Sequence, residues 1–251
     1  MQLTFLGTGS AMPTGERMQT GLLLEDGDDR LLVDCGSGVL HTLARTDVGY
    51  EGVDTVLLTH HHLDHVSDLL ALLKARWLVG EETLTVVGPE GTEALVADLL
   101  DVHDYLQDRV DLTLRDVDEG RFEVAGFDVD SVPIRHSMDG LAYRFDGDDG
   151  DLVFSADTEA FAGMAEFADG ASVLVHDCSF PDEVDVSNHP TPTQLGESLA
   201  GVDVDELYLT HLYPHTDGKH DEMQESIRTA GFEGEVAFAR DGLEVGTDTG
   251  R

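Results

Sequence analysis

Basic residues are scarce in this chain. Fourteen lysines and arginines stand against 52 aspartates and glutamates, which gives a formal net charge of −38 at pH 7, and Lys74 and Lys219 are the only lysines. This charge balance argues against a broad surface that binds the phosphate backbone of a nucleic acid. A small site could still take its positive charge from bound cations. Such self-repulsion destabilises a compact state at low ionic strength, whereas about molar salt shortens the Debye length to about 3 Å. We therefore expect a halophilic protein, adapted to a salt-rich cytoplasm.

Cysteines and long apolar runs are also rare. Cys35 and Cys178 each stand beside an aspartate in an otherwise apolar stretch, which argues against a disulfide framework and for buried, reduced thiols. No apolar run reaches membrane-spanning length, and residues 1–6 lack the features of a signal peptide. The sequence therefore predicts a cytoplasmic protein without a membrane partner. Its 251 residues, 41% of them hydrophobic, suit one domain over residues 1–251.

Short apolar strands alternate with helices in the first half of the chain and in the last third, and a run of strands lies between them. This order predicts an α/β fold in which two sheets face each other and helices cover their outer faces. Acidic glycine turns at 26–29 and 146–151 are typical of hairpin tips. The predicted helices include 66–79 and 90–107, and the predicted strands include 55–58, 111–114, 152–155 and 206–209.

A histidine cluster at residues 60–65 follows the apolar run at 56–58 and reads H-H-H-L-D-H. On a turn at a strand end, His60 and His62 can face one cation while Asp64 and His65 face a second nearby. We expect His61, between two ligands, to point away. The alternative is a solvated histidine patch, which this spacing makes improbable by chance.

A dinuclear site needs further ligands, and rigid strand ends are the best places for them. His136, Asp157 and His211 each follow an apolar strand-like run, although such a residue on its own is more often a turn or a cap. An internal echo supports the choice, because residues 53–60 (VDTVLLTH) recur as 204–211 (VDELYLTH). Taken together, the candidates divide into His60, His62 and His136 for one metal, Asp64, His65 and His211 for the other, and Asp157 as the bridging carboxylate.

In this order the motifs resemble those of the metallo-β-lactamase superfamily of hydrolases over nearly the whole chain. The resemblance implies a four-layer αββα sandwich with a dinuclear metal site at one edge of the paired sheets. Three further segments look like the ribonuclease Z branch: the opening loop at 5–14, the stretch at 174–180 (LVHDCSF) and the stretch at 188–191 (NHPT). Two departures stand out. Asp177 replaces a glutamate expected to orient His189, and the segment between Asp157 and His189 is too short for an arm that holds tRNA.

The resemblance implies a phosphodiesterase for a nucleotide or a short nucleic-acid phosphodiester, whereas the missing arm and the net charge of −38 disfavour tRNA as the substrate. A hydroxide bridging the metals attacks phosphorus, Asp64 accepts a proton, and His189, held by Asp177, protonates the leaving alkoxide. A surface role for His189 is the alternative. The opening loop, at Gly7, Thr8, Gly9 and Ser10, is a weaker candidate for binding the substrate phosphate.

Several alternatives stay open at this point. The same metal site could hydrolyse a carbonyl substrate such as a lactone, a thioester or a β-lactam, or the chain could bind metal without turnover. Two divalent ions are expected, with zinc first and manganese or iron as alternatives for these nitrogen and oxygen ligands. The sequence leaves both a monomer and a homodimer open.

Overall fold

Two sheets dominate the structure, a computed structural model that describes residues 1–248; the last three positions of the predicted domain lie outside the described residues. The strands are β1 Gln2–Gly7, β2 Gly21–Asp26, β3 Asp29–Val33, β4 Thr55–Leu57, β5 Thr83–Pro89, β6 Asp111–Val117, β7 Gly120–Val124, β8 Phe127–Pro133, β9 Leu141–Phe145, β10 Leu152–Phe154, β11 Val173–Asp177, β12 Glu206–Thr210, β13 Glu235–Phe238 and β14 Glu244–Gly246. The first sheet has the order β14-β1-β2-β3-β4-β5-β6, and the second has the order β13-β12-β11-β10-β9-β8-β7.

The helices cover the outer faces of both sheets. They are α1 Val39–Leu43, α2 Leu63–Val66, α3 Leu69–Val79, α4 Thr92–Val102, α5 Ala162–Ala168, α6 Pro192–Ser198 and α7 His220–Ala230, with short 3₁₀ turns at Asp104–Leu106 and Pro214–Thr216. Three apolar cores result: one between the sheets, one under α1, α3 and α4, and one under α5, α6 and α7. The predicted four-layer αββα sandwich is confirmed.

Strand β2 shows how the sequence specifies these layers. Leu22 and Leu24 face the core between the sheets, whereas Leu23 packs under the helices of the first sheet. Successive side chains of a strand point to opposite faces, so a sheet buried on both sides needs an unbroken apolar run. The acidic segments 26–29 and 146–151 form the turns β2–β3 and β9–β10, as predicted. Cys35 and Cys178 are buried and unpaired, as expected.

Parallel strands bring the candidate ligands to one edge. In the first sheet β3, β4 and β5 are parallel, and in the second β10, β11 and β12 are parallel. Side chains that follow the carboxyl ends of such strands collect along one rim. His60 follows β4, Asp157 follows β10 and His211 follows β12. Both copies of the Leu-Thr-His echo therefore deliver a histidine to the same edge.

Some element predictions are wrong. The predicted helix 66–79 begins three residues later, as α3 at Leu69, and Ser67 and Asp68 separate it from the unpredicted short helix α2. The Asp68 carboxylate accepts the backbone N–H groups of Gly38 and Leu40 at the start of α1. The predicted helix 90–107 ends at Val102, before the first 3₁₀ turn. Strand β6 runs three residues further than predicted, and β14, which pairs antiparallel with β1, was not predicted. Within residues 1–248, no helix combines the length and the apolar character that crossing a membrane requires.

Candidate dinuclear metal centre

The first group of ligand atoms comes from His60, His62, His136 and Asp157. His62 Nδ1 lies 3.0 Å from His60 Nε2 and 3.2 Å from His136 Nε2. Asp157 Oδ2 closes the group at 3.9 Å from both of those Nε2 atoms. Three imidazole nitrogens and one carboxylate oxygen thus face a common point, which is a donor set that divalent transition metals favour.

The second group comes from Asp64, His65, His211 and, again, Asp157. His211 Nε2 lies 3.1 Å from Asp64 Oδ2 and 3.1 Å from Asp157 Oδ2. His65 Nε2 lies 3.4 Å from the same Asp157 oxygen. The structure therefore brings together all seven residues singled out in the sequence. It also divides them as the sequence suggested, with Asp157 shared between the two groups.

The shifted pKa values of His60 and Asp157 fit metal binding. Burial, together with nearby His65, holds the pKa of His60 well below its ordinary value, so the ring is neutral and keeps a lone pair for a cation. Burial alone would raise the pKa of Asp157, but His211, His65 and His60 hold it well below its usual range. His65 Nε2 is buried and has no hydrogen-bond partner within the described chain. An orphaned nitrogen aimed into a cluster of carboxylates and imidazoles is what a ligand without its ion shows. The two groups are consistent with a dinuclear metal site.

A buried aspartate that the sequence analysis missed holds His65 in place. Asp34, fully buried, accepts a hydrogen bond from His65 Nδ1 at 2.7 Å and two more from the Thr59 backbone N–H and hydroxyl, both at 2.8 Å. A carboxylate behind a ligating histidine fixes its tautomer and its ring orientation. The signal was present in the sequence, because Asp34 follows an apolar strand as the ligands do.

Asp177 and His189 form a second carboxylate–histidine pair at the rim of the centre. His189 Nδ1 lies 2.6 Å from Asp177 Oδ2, so the shorter aspartate reaches the ring in spite of the glutamate expected there. The other Asp177 oxygen accepts the Ser179 hydroxyl at 2.6 Å. Burial would lower the pKa of His189, but the charge and hydrogen bond of Asp177, with Asp157 and Asp64 nearby, raise it to about 9. His189 therefore keeps its proton to higher pH than a free histidine does, and its bond to buried Asp177 excludes the alternative of a free surface residue.

Above the two groups lies a cleft of about 350 Å³. Its lining includes Asp64, Asp157, His189 and Tyr213. Burial raises the pKa of Tyr213 to about 12, with help from Asp64, Asp157 and Asp177, so its hydroxyl stays a proton donor. Tyr213 was missed because a tyrosine two residues past a predicted ligand has no signal of its own.

The opening loop, predicted as a weaker candidate for phosphate binding, packs against other segments of the chain. Gly7, Thr8, Gly9 and Ser10 are all buried. The Thr8 N–H and hydroxyl donate to Asp241, and the Thr8 carbonyl accepts the Leu212 N–H, next to His211. A Cβ on Gly7 would lie 1.7 Å from the Gln19 carbonyl oxygen, so tight packing, not a bound phosphate, requires glycine there. The loop supports the His211 segment, and Ala11, just beyond it, lines the cleft.

The other histidines behave largely as expected. His61 points away from the metal groups and lies 2.7 Å from the Thr92 hydroxyl. His176 is buried and bonds to the Asp177 carbonyl, and His220 stacks on Phe238. His215, beside the site, packs against Phe180. None of these four histidines is in a metal-binding group within residues 1–248.

Comparisons with known proteins agree with this geometry. The model of the family described as anti-Pycsar protein Apyc1 matches residues 1–230. A ribonuclease Z from Mycobacterium avium (strain 104) is 32% identical over an alignment 276 positions long, which covers 99% of each chain. The metallo-β-lactamase fold protein YhfI from Bacillus subtilis superposes with a TM-score of 0.84 at 27% identity, covering 97% of this chain and 98% of its own. Human short-form tRNase Z has the same fold, with a TM-score of 0.75 at 21% identity over 98% and 99% of the two chains. The chain therefore belongs to the Apyc1 family of ribonuclease Z-like, metallo-β-lactamase fold proteins.

Proposed function

We propose that this protein is a metal-dependent phosphodiesterase that hydrolyses a nucleotide or a short nucleic-acid phosphodiester. The observation that carries the proposal is the Asp177–His189 pair, a proton donor fixed at the rim of two metal-binding groups that share Asp157. Relatives named ribonuclease Z and tRNase Z support the phosphodiester class.

The metal ions proposed are zinc, since four ligand atoms from imidazoles and carboxylates suit its preferred tetrahedral site. When bound, two divalent cations would lower the pKa of a water molecule and offset the negative charge that develops on the phosphoryl oxygens. The protein's own task is then to hold the reactants and to move protons. His62 and His136 hold one side of the centre, and Asp64 and His211 hold the other.

Two side chains of the cleft handle the protons. Asp64 lines the cleft although it is buried, and its pKa is lowered: burial would raise it, but the hydrogen bond from His211 and the charges of His65 and His211 outweigh that effect. It can accept the proton of the attacking water. His189, on the other wall, can donate its proton to the departing alkoxide, whose basicity makes unassisted departure slow. Tyr213, which stays protonated, can donate a hydrogen bond to a phosphate oxygen.

Hydrolysis of four substrates by the metal-loaded protein at about molar salt tests the proposal. These are bis(p-nitrophenyl) phosphate, a lactone, a nitrocefin-type cephalosporin and a precursor tRNA. We expect turnover of the phosphodiester, and loss of that turnover on chelation with recovery on adding zinc.

The matched variants are His189→Ala and His41→Ala, the second on an exposed histidine of α1. His189→Ala should keep its metal and lose activity, most of all on substrates with alkoxide leaving groups, while His41→Ala should match the unmodified protein. Turnover of the lactone or the cephalosporin without phosphodiesterase activity would overturn the proposal in favour of a carbonyl hydrolase. Inactivity of fully metallated protein on all four would indicate a metal-binding protein without turnover.

A further inference from the structure

A second cavity, which we name the α5–α6 groove, opens beside the catalytic cleft. It has a volume of about 720 Å³, and its lining includes Glu159, Phe161, Asn188, His189 and Glu197. Asn188 and His189 also line the cleft above the metal groups. The two cavities therefore share a wall, and that wall carries the proposed acid.

Because the two cavities share this wall, the groove is placed to receive the leaving group of the substrate. In a phosphodiester hydrolysis the leaving oxygen must lie at the acid that protonates it. The rest of the leaving group then extends away from phosphorus, past His189, on the side where the groove lies. This step rests on the proposed function, because it takes His189 as the donor to the leaving oxygen.

The groove is lined by one aromatic ring. Phe161 lies at its edge, and the Arg135 guanidinium covers the ring at 4.1 Å from its centroid. A half-buried aromatic backed by an arginine is a platform on which a nucleobase stacks. Such stacking tolerates any base, since every base has a π face.

Two carboxylates, those of Glu159 and Glu197, line the groove away from His189, among uncharged polar side chains. Glu159 accepts the Asn188 backbone N–H at 3.3 Å, which leaves lone pairs on its carboxylate. The Glu197 carboxylate, exposed on α6, has no hydrogen bond or ion pair to any residue among 1–248. These oxygens can accept hydrogen bonds from sugar hydroxyls or from base N–H groups. They repel a phosphate, and the chain's net charge of −38 adds to that repulsion.

We propose that the α5–α6 groove binds the nucleoside that carries the leaving oxygen, and that it rejects a second phosphate on that nucleoside. Phe161 stacks on the base, and Glu159 and Glu197 accept its hydrogen bonds. The volume of the groove, within the range of small-ligand sites, accommodates one nucleoside. The preferred substrate is therefore one whose leaving side is uncharged, rather than an internal bond of a longer RNA.

The kinetic test compares a dinucleoside monophosphate with the same compound carrying a terminal phosphate at either end. The products identify which nucleoside leaves. We expect a phosphate on the leaving nucleoside to lower kcat/KM at least tenfold, and Glu197→Gln to reduce this penalty severalfold. Glu166→Gln, on the exposed side of α5 and outside the groove lining, is the matched control and should leave the penalty unchanged.

The binding test does not depend on turnover. Adenosine is titrated into the metal-loaded protein and into Phe161→Leu, which keeps an apolar side chain in place for folding and removes the ring face. The expected result is affinity about tenfold weaker in the variant, from the loss of one stacked base, with thermal melting as the check that the variant folds.

The outcomes separate the two proposals. Phosphodiesterase activity with adenosine affinity independent of Phe161, and a phosphate penalty independent of Glu197, would overturn the groove and leave the function standing. Adenosine binding that depends on Phe161, in a protein that cleaves no phosphodiester, would overturn the function and keep the nucleoside site. The absence of both would overturn both.

Discussion

Replacing Asp177 by asparagine tests how much the negative charge of Asp177 contributes to the action of His189 as the proposed acid. The amide has nearly the shape of the carboxylate, and its oxygen can still accept the His189 Nδ1–H, now 2.6 Å from Asp177 Oδ2. What the variant loses is the negative charge that stabilises the imidazolium. Because burial opposes the charged ring, loss of that carboxylate must lower the pKa of His189.

The size of the effect follows from the pKa of His189. At a pKa of about 9, about nine tenths of the rings carry the proton at pH 8, whereas at the ordinary value of 6.5 about 3% do. The variant is therefore expected to lose about thirtyfold in rate at pH 8 on a substrate with an alkoxide leaving group. A raised pKa keeps the acid form present to higher pH, so the alkaline limb of the rate profile moves down in pH in the variant. Bound cations lower the pKa in both proteins, which shifts the comparison to a lower pH and keeps its direction.

The assay is a pH–rate profile of kcat on a dinucleoside monophosphate, beside one on bis(p-nitrophenyl) phosphate, whose leaving group departs without an acid. The defect should appear with the first substrate, shrink at acid pH, and be small with the second. Asp185→Asn, an exposed aspartate in the loop before His189, is the control for loss of one charge. An unchanged alkaline limb in a fully metallated Asp177→Asn protein would refute the reasoning.

Four further results are expected. Asp64→Ala should lose bound metal and phosphodiesterase activity together, and retained stoichiometry by elemental analysis would show that the ligand set is misassigned. Asp34→Ala leaves three buried donors without an acceptor and should weaken metal affinity about 10- to 100-fold in chelator competition. Gly7→Ala, whose Cβ would lie 1.7 Å from the Gln19 carbonyl oxygen, should lower the free energy of unfolding by about 1–3 kcal/mol, whereas Gly15→Ala, with nothing within 4 Å, should not. Raising sodium chloride from about 0.1 to about 2 M should raise Tm as repulsion is screened, and a fall in Tm would contradict that expectation.

The ligands could be predicted from sequence because each follows an apolar strand. Strands β4, β10 and β12 each pair in parallel with a neighbouring strand. The residues that follow these strands, His60, Asp157 and His211, therefore lie at the shared rim. The two facing sheets followed from the order of strands and helices along the chain, and the four-layer sandwich followed from the resemblance to the metallo-β-lactamase superfamily. The ligand predictions rested on local sequence signals, and the parallel pairing of the strands then allows one position for each ligand.

The features that could not be predicted from the sequence depend on contacts between distant segments of the chain. The break between α2 and α3 reflects the Asp68 carboxylate, which accepts N–H groups of α1 some thirty residues away. Strand β14 is only three residues long and exists because β1 offers it an edge. Gly7 packs closely against the Gln19 carbonyl, and no pattern of sequence spacing relates these two residues. Each of these features is set by packing, which overrides local preference.

Backbone strain shows where packing holds the site most firmly. Six non-glycine residues among 1–248 have positive φ, and four of them border the metal groups: Asp34 at 60°, Ala156 at 54°, Asn188 at 68° and His211 at 56°. Each such residue costs about 1–3 kcal/mol and persists only where the surroundings over-determine it. Two of the four turn the chain at the end of a strand, so that Asp157 and His211 point at the rim, and a third presents the Asn188 carbonyl to His136 Nδ1 at 3.1 Å. Because the folded sheets supply this energy, the fold itself positions these residues at the rim.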